Sequence, residues 1–184
     1  VANQFVWSGA GGANDGASWS DAYTSLMRDW GAEGDFTPAT DFVYVRSVHD
    51  ESTASTLTMT GVTAEGTLAA VRVITVVGDT TGTTPGNLAT GAKVNATGTT
   101  SDIKLDEKLY IYGVHFFSGD DIDVGSAAVD TDFTLEQCRL ELVGTAANDL
   151  LRIGSQGGGG LMRWIDVTLD FAEAGQGIFL RDTD

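Results

Sequence analysis

A chain of 184 residues with 42% hydrophobic content is long enough for one domain with a substantial core. Its 26 acidic residues against 10 Lys and Arg give a formal net charge of −16, which excludes direct binding to nucleic acid, because phosphate binding needs clustered cations. The single cysteine, Cys138, rules out an intrachain disulfide, and with no apolar run of about 18 residues no membrane insertion is expected.

Residues 1–16 read as a short strand, VANQFVW, followed by a Gly/Asn/Asp loop. In SWSDAYTSLMRDW, residues Trp19, Ala22, Tyr23, Leu26, Met27 and Trp30 recur at helical spacing. That spacing predicts one helix, with Ser18 as N-cap, Asp21 three positions later and Gly31 as the stop. Its large apolar face must cover something, and the open end of a β-coil is the expected object. Residues 1–38 are therefore read as a cap and residues 39–184 as β-structure, with further rungs expected to follow.

From Asp41 the period changes to two. In DFVYVRSVH, residues Phe42, Tyr44, Arg46 and Val48 alternate with Val43, Val45 and Ser47. TLTMTG and VRVITVVGD are β-branched strands, and the Thr/Gly-rich stretch 79–101 reads either as a linker or as an irregular rung carrying Leu88, Ala92 and Val94. Beyond Tyr110 the chain repeats one pattern three times, in LYIYGVHFFSGDDIDVGS, FTLEQCRLELVGTAANDLLRIGS and MRWIDVTLDFAEAGQGIFLRD. Laying Val114 over Cys138 and Val167 gives steps of 24 and 29 residues, within the range of solenoid rungs. The expected fold is all-β: a right-handed parallel β-helix with a short N-terminal capping α-helix, the alternative being an antiparallel β-sandwich. Val114/Phe116, Cys138/Leu140/Leu142 and Val167/Leu169/Phe171 are the expected inward ladder.

NDGASWSDAYTSL, a Gly-rich loop leading into the expected Trp-bearing helix, followed by VYVRSVHDES and irregular rungs, resembles the opening of pectin-lyase-like parallel β-helix proteins, especially those of bacteriophage virions. Proteins of that group serve as tailspikes, capsid fibres, decoration proteins, adhesins and polysaccharide lyases. Lyases of that kind need a basic residue and calcium-holding acids. Arg139, Arg152 and Arg163 form no recognisable set and read as partners of nearby acids.

Among acidic residues, Asp120, Asp121 and Asp123 in SGDDIDVGS are the calcium candidates, since hard oxygen ligands suit Ca²⁺. The EF-hand pattern is absent, and an acidic turn entering a strand explains the same residues. Glu136, Glu141, Asp166 and Asp170 offer carboxylate pairs too abundant to single out a glycosidase site. His49, beside Asp50 and Glu51, reads as a turn residue or a base; His115, between Val114 and Phe116, is expected on the outer face. Cys138 reads as a small buried hydrophobe, and GGGG at 157–160 as a turn.

No catalytic residue and no cofactor beyond Ca²⁺ is expected. The leading reading is a non-enzymatic structural protein of a bacteriophage particle, a capsid decoration or fibre/spike component on the virion surface. Its partners would be other virion proteins and copies of itself, most simply as a trimer. The alternative is a tailspike-type β-helix that binds or degrades bacterial polysaccharide, with Tyr110, Tyr112, Phe117 and Trp164 lining a groove. A third reading is an adhesin or surface-layer component on a bacterial cell surface.

Overall fold

The computed structural model describes residues 3–33, 37, 40–62, 70–77, 91–125, 132–154 and 161–181. Strand β1 (Gln4–Val6) precedes five coils of three strands each. The first coil is β2 (Phe42–Arg46), β3 (Asp50–Thr53) and β4 (Leu57–Thr60); the second is β5 (Val71–Val76), β6 (Ala92–Ala96) and β7 (Ile103–Asp106). The third is β8 (Leu109–Tyr112), β9 (Val114–Ser118) and β10 (Ile122–Val124), and the fourth β11 (Phe133–Glu136), β12 (Arg139–Leu142) and β13 (Leu150–Ile153). The last is β14 (Met162–Ile165), β15 (Thr168–Phe171) and β16 (Gly177–Leu180).

Every third strand joins the same sheet. Sheet A runs β1-β2-β5-β8-β11-β14, sheet B β4-β7-β10-β13-β16, and sheet C β3-β6-β9-β12-β15. All these pairings are parallel, so the sandwich alternative does not hold and the fold is a right-handed parallel β-helix, the hand that parallel crossovers favour.

Stacking follows the expected register. Arg139 pairs with both His115 and Thr168, which sets Val114, Cys138 and Val167 one above another. Val94, Phe116, Leu140 and Leu169 form the next inward column on sheet C, headed by Glu51. Sheet A contributes Val43, Val73, Ile111, Leu135 and Trp164, and sheet B contributes Leu57, Ile103, Ile122, Leu151 and Ile178. These columns merge into one apolar core. Each large side chain buried there is worth roughly 1.5–3 kcal/mol, so the ladder holds the coil without a disulfide.

The turn from sheet A to sheet C is tight and repeats its geometry. Gly113 (φ 73°), Gln137 (φ 50°) and Asp166 (φ 52°) occupy equivalent positions in three successive coils, all left-handed. Only Gly113 does so without steric cost.

The predicted capping helix is absent; its residues cap the coil in another conformation. Ala22, Tyr23, Leu26, Met27 and Trp30 are all buried, as helical spacing implied. Their backbone, however, pairs with the coil. Trp7 and Tyr23 exchange hydrogen bonds with the β1 edge, Trp7 N–H to Tyr23 O at 2.8 Å and Tyr23 N–H to Phe5 O at 2.8 Å. Further on, Trp30 N–H donates to Thr60 O at 2.9 Å and Thr60 N–H to Arg28 O at 3.0 Å, at the β4 edge. Between them, Leu26 N–H donates to the Glu51 carboxylate on β3 at 2.8 Å. The segment thus visits sheets A, C and B in the order every coil does, as a lid rung that satisfies three exposed strand edges. A helix would have spent those amides internally.

Local signals read as helix signals have other uses here. Ser18 Oγ does accept the Asp21 N–H at 3.2 Å, closing a turn. Gly31 allows close backbone approach, because a Cβ there would collide with Gly61 O. Trp19 lies outside, edge-on to Phe5 at 4.8 Å, and Arg46 stacks over Trp7 at 3.7 Å, fastening the 7–21 loop to the outer face of sheet A. Ala92 and Val94 are inward residues of β6; Leu88 lies outside the described residues.

Candidate functional site

Polar chemistry collects where sheet C turns into sheet B. Gly98, Gly119 and Gly144 stack at this corner so closely that a Cβ on Gly119 or Gly144 would strike the carbonyl of the glycine above. The chain then enters sheet B through Ser101-Asp102-Ile103 in one coil and Asp120-Asp121-Ile122 in the next, with Ile103 paired to Ile122. Carboxylates consequently stack. One oxygen each from Asp102, Asp120 and Asp121 lies within 4.8 Å of the others.

The corner carries its own compensating groups. Asp121, buried, is ion-paired with Arg152 and accepts the Leu150 N–H at 2.6 Å. Asp102 lies 3.5 Å from Lys104. Asp149, buried, accepts from the Gln176 side-chain amide at 3.3 Å. Burial first, then the neighbouring charges of Asp121, Asp102 and Asp149, pushes the Asp120 carboxyl above its ordinary range, with Arg152 opposing.

Asp123 does not join this trio. It stands on the strand itself, in the outward column Thr58, Lys104, Asp123, Arg152. There it meets Arg181 at 2.6 Å and Arg152 at 3.6 Å. Burial pushes its carboxyl up against the pull of those two guanidiniums. Of the calcium candidates Asp120, Asp121 and Asp123, the first two lie together with Asp102 from the coil above, while alternation sends Asp123 into an ion-pair ladder. The recurrence of Ser-Asp-Ile and Asp-Asp-Ile 19 residues apart was the available signal. Three hard oxygens could hold a divalent cation, yet Arg152 already supplies the trio with positive charge.

The other candidates separate onto different faces. Arg152 is on sheet B, Arg163 on sheet A and Arg139 on sheet C, where it meets Asp170 at 2.5 Å and Glu141 at 3.0 Å. Tyr110 and Tyr112 lie outside sheet A, their hydroxyls donating to Glu136 at 2.8 Å and Gln137 at 2.6 Å. Phe117 lies outside sheet C, and Trp164 occupies an inward column. Two different outer faces and the core cannot line one groove, so that expected arrangement does not form.

His49 belongs to the lid. It is buried, its Nδ1 accepts the Ser8 N–H at 3.0 Å, and its Nε2 faces Glu51 at 3.4 Å. The amide fixes Nδ1 as the acceptor, leaving the proton on Nε2. Cys138 is wholly buried, and burial pushes its thiol up to about 12, which makes it an inert core residue. Residues 157–160 lie outside the described residues. Comparison with family models, with curated proteins and with solved structures finds no match for this chain.

Proposed function

We propose that this chain is a non-enzymatic structural module of a bacteriophage particle, a capsid decoration or fibre/spike component acting at the virion surface through protein–protein assembly. The observation that carries the assembly reading is the contrast between the two ends of the core. At the first coil a lid rung covers the columns. At the fifth coil the same columns emerge into solvent: Ile103, Ile122 and Leu151 are at most 1% exposed but Ile178 below them is 49% exposed, and Leu180 reaches 70%. Phe171, beneath Leu142 on sheet C, is 38% exposed.

Apolar columns and parallel strand edges open on the fifth coil form a surface that another copy of the chain can cover. Copies of the chain meeting at their fifth coils, most simply as a trimer, supply that cover. Ion pairs along sheet B, from Asp121 and Asp123 to Arg152 and Arg181, tie successive coils of one chain to one another. The phage setting rests on the resemblance of NDGASWSDAYTSL and VYVRSVHDES to virion β-helices.

Light scattering tests assembly. The wild-type chain is expected at a multiple of 19.2 kDa, and the Ile178→Glu/Leu180→Glu variant at one chain mass. A monodisperse wild-type monomer at micromolar concentration overturns the assembly reading.

A further inference from the structure

Two ionisable side chains stand where the coil otherwise puts apolar ones. Asp50 lies opposite Lys93, so His49, one residue earlier, tops the inward column of Ala92 and Val114, while Glu51 tops that of Val94 and Phe116. The His49 side chain has no exposed surface. Both residues are held under the lid, each by a different part of it.

The first strap comes from the loop after β1. Ser8 N–H donates to His49 Nδ1 at 3.0 Å, and Ser8 Oγ accepts the Asp50 N–H at 3.0 Å, so one lid residue grips two neighbours on the coil. The second strap is Ser25 and Leu26, whose hydroxyl and amide donate to Glu51 at 2.5 Å and 2.8 Å. His49 Nε2 and Glu51, 3.4 Å apart, connect the two. Neighbouring strands fix the His49 backbone: its N–H donates to Arg46 O at 2.8 Å, and its carbonyl accepts the Lys93 N–H at 2.9 Å. The charged groups about the ring are therefore Glu51 and Asp50 on β3, Arg46 on β2 and Lys93 on β6. Arg46 is taken up over Trp7, and Asp50 and Lys93 face solvent. Glu51 is the charge that meets the imidazole.

The first strap needs a neutral ring. A proton added to His49 goes to Nδ1, because Nε2 already carries one, and Nδ1 then presents N–H to the Ser8 N–H, donor against donor. Turning the ring over does not repair this, since both nitrogens of an imidazolium donate. Without exposed surface the ring has no solvent to take the displaced bond. Glu51 responds in the opposite sense, because an imidazolium N–H facing a carboxylate makes a charge-assisted bond. One proton thus breaks the strap at Ser8 and tightens the pair that anchors the strap at Ser25 and Leu26.

We propose that His49 is a pH-operated clasp, whose protonation releases the Ser8 turn from the first coil while the Ser25–Leu26 strap stays closed. Release frees the Asp50 amide at the start of β3 and loosens Trp7, the neighbour of Ser8 that packs against Arg46. The open fifth coil takes no part, so the clasp stands apart from the assembly reading.

Amide exchange followed by NMR at about pH 8 and about pH 5, the two ends of the ordinary histidine range, tests the clasp. Each rate is divided by that of an unstructured amide at the same pH. With two hydrogen bonds lost, protection of the Ser8 and Asp50 amides should fall about tenfold at the lower pH, in step with protonation of His49 Nδ1 read from its nitrogen chemical shift. Leu26 and Trp30 should keep their protection. His49→Asn places an oxygen acceptor near the position of Nδ1 and takes up no proton in this range, so Ser8 protection should become equal at the two pH values. His115→Asn, on the outer face of sheet C, should respond as wild type does. The wild-type titration carries the test if His49→Asn fails to fold, because the nitrogen shift assigns the proton to His49. Equal Ser8 protection at both pH values in the wild type overturns the proposal. So does joint loss at Ser8 and Leu26, or a response that survives His49→Asn.

Discussion

Replacing Glu51 with Ala should detach the lid. Glu51 heads the sheet C column that continues as Val94, Phe116, Leu140 and Leu169, a position given elsewhere to apolar residues. Its carboxylate accepts the Ser25 hydroxyl at 2.5 Å and the Leu26 N–H at 2.8 Å, with His49 Nε2 at 3.4 Å. Leaving the Leu26 amide without an acceptor costs about 1–3 kcal/mol, and losing the charged acceptor for Ser25 adds about 1 kcal/mol, tempered by access to water. A loss of about 3 kcal/mol lowers the melting temperature by about 6–12 °C in a domain of this size.

Hydrogen exchange localises the effect: the Tyr23, Leu26 and Trp30 amides should speed up more than those of β8 and β11. Glu51→Gln keeps one acceptor oxygen and should recover about half the loss. The effect should also fade in acid. Burial, the largest influence, pushes the Glu51 carboxyl up, but the hydrogen bonds from His49, Ser25 and Leu26 together bring it below 4.5. A lowered folded value means that its contribution is complete above about pH 4.5 and is lost as pH falls through the folded pKa. If Glu51→Ala melts within about 1 °C of wild type and the lid amides keep their protection, the lid does not hang on this carboxylate.

Three further outcomes follow from the coil. Leu105→Ala, in a column between Met59 and Val124 with no exposed surface, should cost about 2–5 kcal/mol by denaturant unfolding. At the left-handed turn, Gly113→Ala should destabilise by about 1–2 kcal/mol and Asp166→Gly should be neutral or stabilise by up to about 1 kcal/mol, read from the same melts. Asp120→Asn should raise the melting temperature at pH 7: the raised carboxyl pKa means that the charged form is penalised in the fold, so the gain persists at neutral pH and vanishes below about pH 4.

Legibility varied with the kind of information each feature needed. Val114, Phe116, Cys138, Leu140 and Leu142 were readable as inward residues because alternation and a constant repeat set both face and register, and all five are buried. Val167, Leu169 and Phe171 continue those columns into the less covered fifth coil. Between Ala22 and Trp30 the spacing matches the side chains that enter the core, but Trp19 lies outside it and the backbone is not helical. Apolar spacing carries no record of the edges of β1, β3 and β4, which compete for the same amides. Asp102 precedes the repeat that begins at Tyr110, and only the 19-residue step from Asp102 to Asp121 stacks it near Asp120 and Asp121. His115 is legible as an outward residue between Val114 and Phe116, but its neighbours Lys93 on β6 and Arg139 on β12 follow only from the register.

The claim of assembly through the fifth coil is tested most directly by hydrogen exchange of β14, β15 and β16 across a range of protein concentrations. Their outer edges have no strand partner among the described residues. Protection of these amides should rise with concentration, in step with the assembled mass, while β8 and β11 stay constant. Exchange in β14–β16 that is independent of concentration, in a chain that stays at 19.2 kDa, would contradict the account.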